Sequence, residues 1–158
     1  NLKKRLVIEN DDKPGMWSVQ MLYDYFYTVI GIPITFDYFH HTFHTDGLTE
    51  EEALRLAATT WPEGITQCTH YSESRREEKR KTLMDMCDNN NIDFDDLDDW
   101  PTFSKLKKDY DKVRATAHAD YCKKPINTYG LDIDIMLEAK AKEHALLESM
   151  KINKEILI

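Results

Sequence analysis

The sequence predicts an α/β fold built on parallel strands, a (β/α) architecture of about four βα units in one domain. Three observations lead there. Four short apolar runs, LVIE, IPITFD, ITQCTH and LDIDIMLE, alternate with longer segments of helical period. Several of those segments carry a recognisable helix start or stop. Each apolar run also ends on Glu, Asp or His, whereas plain core strands fade into turn residues.

Taken in order, LVIE is the first strand. KPGMWSVQMLYDYFYTVIG follows, with apolar groups at Trp17, Met21/Leu22, Tyr25/Phe26 and Val29/Ile30. That four-residue beat is one helix face, so Trp17, Tyr25 and Phe26 are expected in the core, and Gly31 fits the C-terminal stop. IPITFD is the second strand, with Pro33 tolerated at its start. In LTEEEALRLAATTW, Thr49 and Glu52 form a capping box and Leu48 can staple onto Ala53. Gly64 precedes the third strand, ITQCTH. Ser74 with Glu77 opens a mostly polar helix through Met86, and FSKLKKDYDKV repeats apolar groups at Phe103, Leu106, Tyr110 and Val113. LDIDIMLE is the last strand and KAKEHALLESM the last helix. A βα order repeated four times is the pattern of a parallel sheet with right-handed crossovers.

Composition narrows the class. With 158 residues, 41% of them hydrophobic, the chain is globular and large enough for one core, so residues 1–158 read as a single domain. No apolar run approaches the roughly 18 residues of a membrane helix and no signal peptide is visible, so no membrane partner is expected. Cys68, Cys87 and Cys122 are odd in number and widely spaced, which argues against a disulfide framework or zinc knuckle and for a reducing, intracellular setting. The chain starts a few residues before its first strand, so a longer product is expected. Net charge is −8, from 29 acidic and 21 basic residues. Much of the acid lies in Asp85, Asp88, Asp93, Asp95, Asp96, Asp98 and Asp99, read as a solvated insertion spanning about residues 76–113. Elsewhere the balance is near neutral, so the total charge argues only weakly against a polyanionic substrate.

Side chains alternate along a strand, so the inward residues follow by counting in twos. Val7 and Glu9 share a face, as do Thr35 and Asp37, then Thr66, Cys68 and His70, then Asp134, Met136 and Glu138. His40 lies just past the second strand. Active sites of parallel α/β proteins sit at this carboxyl edge. One strand-ending acid is usually the start of a solvated loop, but Glu9, Asp37, His70 and Glu138 close four strands in four. Such a cluster would repel itself without a cation, and carboxylates with imidazole suit divalent metal. His40 and His118 would add nitrogen donors for a second ion, the two-metal arrangement used on phosphate esters. His41 and His44 read first as surface or outlying histidines. Lys140 and Lys142 read as an exposed helix face, although a charge two residues past Glu138 can reach a phosphate.

The motifs ENDD (Glu9–Asp12), FDxxHH (Phe36, Asp37, His40, His41), THYS (Thr69–Ser72), HADY (His118–Tyr121) and DxMxEAKxK (Asp134–Lys142) occur in the order found in UV-damage endonucleases. The sequence resembles that family from about Lys4 to Leu147, apart from the acidic segment. A weaker likeness, in the same ligand order, extends to endonuclease IV and sugar-isomerase-like barrels. The resemblance implies a TIM barrel, two or three divalent ions (Mn²⁺, with Zn²⁺ or Mg²⁺ as alternatives), and damaged double-stranded DNA nicked 5′ of UV photoproducts. It implies Glu9, Asp37, His70 and Glu138 as ligands of a central ion and as the catalytic set, with His40 and His118 on a neighbouring ion. Glu9 would bridge to a third ion. His41, Lys140 and Lys142 become candidates for substrate binding, and Arg75, Arg76, Lys79, Lys123 and Lys124 for phosphate contact.

The sequence departs from the family pattern in two ways. It matches only the second half of a barrel, so an N-terminal half is expected in the full-length protein. Cys68 also stands where many members of the family carry a modified lysine. The expectation is a metal-dependent DNA repair endonuclease of the nucleus or another DNA-containing compartment, hydrolysing a phosphodiester in line. An abasic-site endonuclease, a sugar isomerase and a catalytically incomplete half-barrel are the alternatives. The half alone should be inactive.

Overall fold

The computed structural model describes residues 5–154; residues 1–4 and 155–158 lie outside it, and with them Lys4 and the outer ends of the expected domain. Four parallel strands, β1 (Ile8–Glu9), β2 (Ile34–Asp37), β3 (Gln67–Tyr71) and β4 (Ile133–Leu137), pair in sequence order. Each is joined to the next through helical segments, so the fold is α/β. Among the described residues the sheet stays open, with one partner each for β1 and β4, the arrangement of half a (β/α) barrel.

Register decides what meets at the carboxyl edge. Asp37 pairs with His70 and His70 with Met136, while Glu9 pairs with Thr35, one row further back. Paired residues in a parallel ladder point to the same side, so Asp37 and His70 are direct inward neighbours. Glu138 lies one residue beyond β4, where its N–H donates to the Tyr71 carbonyl.

The outer face carries the main core. Ile34 and Phe36 are fully buried against Val19, Leu22, Ala53, Leu54 and Ala57. These come from α1 (Val19–Leu22) and α4 (Glu50–Ala58). Thr49 and Glu52 make the capping box that opens α4, and Gly31, at φ 65°, stops α2 (Thr28–Ile30) in the left-handed conformation that glycine tolerates best. All four residues of β2 are buried. Met136 of β4, by contrast, is 53% exposed on the inner face and Val7, just before β1, is 45% exposed.

Several expectations need correction. Between α1 and α2 the chain makes a π-helical turn, Tyr23–Tyr27. The wider turn breaks the simple 3.6-residue beat, and Tyr25 stands 64% exposed instead of in the core. Trp17 lies on the surface too, its ring edge-on to Phe26 at 4.9 Å. β1 and β4 are shorter than their apolar runs. Helix α5 (Arg75–Asn90) runs past Met86, and α7 (Glu143–Lys154) begins after Lys142. Lys140 and Lys142 therefore sit in the β4–α7 turn and not on a helix face.

The acidic segment reads from sequence as a solvated insertion with a helix on either side. In the structure α5, a 3₁₀ turn (Phe94–Asp99) and α6 (Pro101–Asp111) form an arm on which Asp93, Asp95, Asp96, Asp98 and Asp99 are exposed. Cys87, Ile92, Leu97 and Phe103 are buried together as a second small core. Arg76 over the Tyr110 ring and Arg80 over Phe94 bind α5 to the rest of the arm.

Candidate metal centre

The six residues expected as ligands come together at the carboxyl edge. Glu9 ends β1, Asp37 ends β2, His70 lies in β3 and Glu138 follows β4. His40 sits in the short helix α3 (Tyr38–His41), and His118 arrives from the loop after α6, where it bridges to Ser74. His70 Nδ1 lies 3.1 Å from Glu9 Oε1 and 3.4 Å from Glu138 Oε1. The other Glu138 oxygen lies 3.4 Å from His118 Nδ1. His40 Nδ1 lies 3.4 Å from Glu9 Oε1 and 3.8 Å from Asp37 Oδ2. One unbroken run of carboxylates and imidazoles links all four strand ends.

Local hydrogen bonds explain the placement. Asp37 is the N-cap of α3, its Oδ1 accepting from the His40 N–H at 2.8 Å. Asn10, 1% exposed, grips the peptide groups of Asp37 from both sides: its Oδ1 accepts from Asp37 N at 2.8 Å and its Nδ2 donates to Asp37 O at 3.0 Å. The Asn10 carbonyl lies 2.8 Å from His40 Nδ1. A carbonyl can only accept, so it is a protonated Nδ1 that meets it.

The electrostatics are those of crowded acids. Burial first, then the Glu9 carboxylate, pushes Asp37 up to about 6, against the pull of His40. Burial also opposes ionisation of Glu9, but His70, Asp37 and His40 outweigh it and hold Glu9 below its ordinary value. Glu9 in turn raises the imidazole of His70 against the effect of burial.

The donor set fits a divalent cation. Asp37 Oδ2 is buried without a hydrogen-bond partner and belongs to this cluster. An unpaired buried carboxylate oxygen is costly unless a cation meets it. Glu9, Asp37 and His40 bring donor atoms within 4.8 Å of one another. With His40 Nδ1 bonded to the Asn10 carbonyl, Nε2 is the nitrogen His40 would have left for a cation, and the carboxylates would supply the oxygens.

The remaining candidates divide. Lys140 and Lys142 are exposed in the turn beyond Glu138. Arg75 is paired with Asp120 at 3.2 Å, and Arg76 is drawn onto Tyr110 of the arm. His41 requires correction: it is 3% exposed, its ring 5.4 Å from that of Phe36, so it packs into the core and offers no surface to a substrate. Its position beside His40 in a helix turn sends the two rings to different sides. Burial lowers its basicity. Asn10 is the residue that pattern reading passed over. Its only signal was its place in ENDD, since a single amide after a strand has no periodicity to reveal it.

A model of the UV-endonuclease UvdE family matches residues 1–157. The UV DNA damage endonuclease of Bacillus pumilus is 29% identical over 151 residues, covering 93% of this chain and 37% of that protein. The UV-damage endonuclease of Schizosaccharomyces pombe is 41% identical over 81 residues, covering 47% of this chain and 13% of that protein. The crystal structure of SacUVDE superposes with a TM-score of 0.62 at 28% identity, covering 98% of this chain and 41% of that one. The chain thus spans well under half the length of these relatives.

Proposed function

The chain belongs to the UV-endonuclease UvdE family, and from that premise we propose that the full-length protein nicks damaged double-stranded DNA on the 5′ side of UV photoproducts. The observation that carries this reading is the convergence of Glu9, Asp37, His40, His70, His118 and Glu138, with a buried, unpaired Asp37 oxygen among them.

In this reading Glu9, Asp37, His70 and Glu138 hold a central divalent ion, Mn²⁺ first, and His40 and His118 serve a neighbour. Bound ions of this kind activate water and neutralise the charge that develops on a phosphodiester during hydrolysis. The chain's own work is placement. Asp37 spends Oδ1 on α3 and keeps Oδ2 for the cation. Glu138 spans His70 and His118 with its two oxygens, tying the third and fourth strand ends into one unit. Lys140 and Lys142, exposed in the turn beyond Glu138, are in place to meet a phosphate backbone as solvated positive charges. No helix among the described residues is long and apolar enough to cross a membrane, and a DNA-containing compartment is the setting that the activity requires.

The test is nicking of UV-irradiated and unirradiated duplex by the full-length protein, with added Mn²⁺ and with EDTA, and the cut mapped on lesion-defined oligonucleotides. Manganese-dependent cutting 5′ of the photoproduct is expected. Equal cutting of undamaged duplex would remove the repair assignment, and unchanged cutting in EDTA would remove the metal.

A further inference from the structure

We infer that Asn10 is a positioning residue of the metal centre, one that sets the Asp37 carboxylate and the His40 imidazole in their metal-ready orientations. The inference rests on the metal-centre reading above and adds a role to a residue that is not itself a ligand.

The argument starts from accounting for buried polar groups. Asn10 lies directly after Glu9 and is 1% exposed. Burial of a primary amide is unfavourable unless its donors and acceptor are used. Here the acceptor and one donor go to a single target, the backbone of Asp37, at 2.8 and 3.0 Å. This two-point grip ties the peptide after β1 to the last residue of β2, beyond the two register pairs that join those strands. The tie replaces ladder bonds where the sheet has ended and the chains would otherwise diverge.

The grip has two consequences. Asp37 is the N-cap of α3, so fixing its backbone fixes where Oδ1 meets the His40 N–H and hence where Oδ2 is left. The same clamp holds the Asn10 peptide, whose carbonyl accepts the Nδ1 proton of His40. Partners of this kind select the tautomer and ring orientation of a metal-binding histidine and raise its basicity. One side chain thereby governs a carboxylate and an imidazole that come from a different strand and helix.

The substitutions Asn10→Ala and Asn10→Leu in the full-length protein test this. Leucine restores the volume without the hydrogen bonds. Asn153→Ala is the control: Asn153 also uses its amide on the backbone, accepting from Ile126 N and donating to Ser149 O, but on α7, away from the centre. Mn²⁺ affinity, read by the EPR signal of free manganese, should fall about 10–100-fold in both Asn10 variants. The histidine nitrogen modulation in the spin-echo signal of bound manganese should change with it. Asn153→Ala should lower the melting temperature and leave both readouts as in wild type. Should Asn10→Ala not fold, Asn10→Leu decides. Affinity within about threefold of wild type with an unaltered nitrogen signal would overturn the positioning role. Wild-type protein that binds no manganese would instead overturn the metal centre itself, and this inference with it.

Discussion

Two acid-rich regions, the strand ends and the arm, use carboxylates in opposite ways. At the strand ends, Glu9, Asp37 and Glu138 come from distant points in the sequence, are partly or fully buried, and face three imidazoles. In the arm, Asp93, Asp95, Asp96, Asp98 and Asp99 are near neighbours in sequence, and they ring a small apolar core formed by Cys87, Ile92, Leu97 and Phe103. Density of acid along the chain marks solvation. Convergence of acid in space, with water removed, marks a demand for a cation. Asp37, pushed up to about 6 by burial, shows the second condition plainly.

The contrast should be widest at Asp37. Asp37→Asn keeps the α3 cap but removes the charge, so Mn²⁺ affinity and nicking by the full-length protein should each fall more than about 100-fold. The metal-free variant should at the same time be more stable at pH 7, by up to about 3 kcal/mol, because an ionised buried carboxylate has been removed. Chemical denaturation in EDTA measures the second effect. A variant less stable than wild type would mean that Asp37 is already compensated in the metal-free protein.

Next in size is Leu97→Ala. A fully buried leucine in the arm should cost about 2–4 kcal/mol. That loss should appear as early exchange of α5 and α6 amides, with manganese affinity unchanged. A matching loss of affinity would show that the arm supports the centre.

The pH dependence comes third. The folded-state value of Asp37, about 6, lies above its ordinary 3.8. Between those values the folded metal-free protein binds a proton that the unfolded chain does not, so stability declines as pH rises through that window. Manganese must displace the same proton, so its affinity should weaken below about pH 6. In Asp37→Asn the stability slope attributable to this residue should vanish, which unfolding titrations at pH 4.5 and 7 resolve.

The smallest effect belongs to the arm's acids. Exchanging Asp95, Asp96 and Asp99 for asparagine should change stability by no more than about 0.5 kcal/mol and leave manganese binding alone. A marked gain in DNA affinity would reveal that these charges repel the substrate.

Much of the architecture was readable from the sequence because its signals are local. Thr49 with Glu52, Ser74 with Glu77 and Gly31 announce helix ends through bonds spanning three or four residues. Strand alternation then carries Glu9, Asp37, His70 and Glu138 to one edge without further information. Other features depend on partners far away in the chain. The role of Asn10 exists only where Asp37 folds beside it. In the arm's core only Phe103 belongs to a legible helical period; Cys87, Ile92 and Leu97 are spaced too widely, among too many aspartates, to form one. His41 looked like its neighbour His40, and only the turn of α3 separates their surroundings. The π-helical turn at Tyr23–Tyr27 left Tyr25 outside because pattern reading assumes a uniform helical pitch.

The double use of Asp37 restricts what evolution or an engineer can place there. Glutamate would supply the same charge and the same pair of oxygens to a cation. Its extra methylene, however, moves the carboxylate away from the N–H it must cap, and glutamate is not among the residues that favour the N-cap position. At most metal sites aspartate and glutamate can trade places when the backbone shifts a little. Here the backbone is held by the Asn10 amide and by the cap that the shorter side chain makes, so a compensating shift is opposed from both sides and aspartate alone meets both demands at position 37.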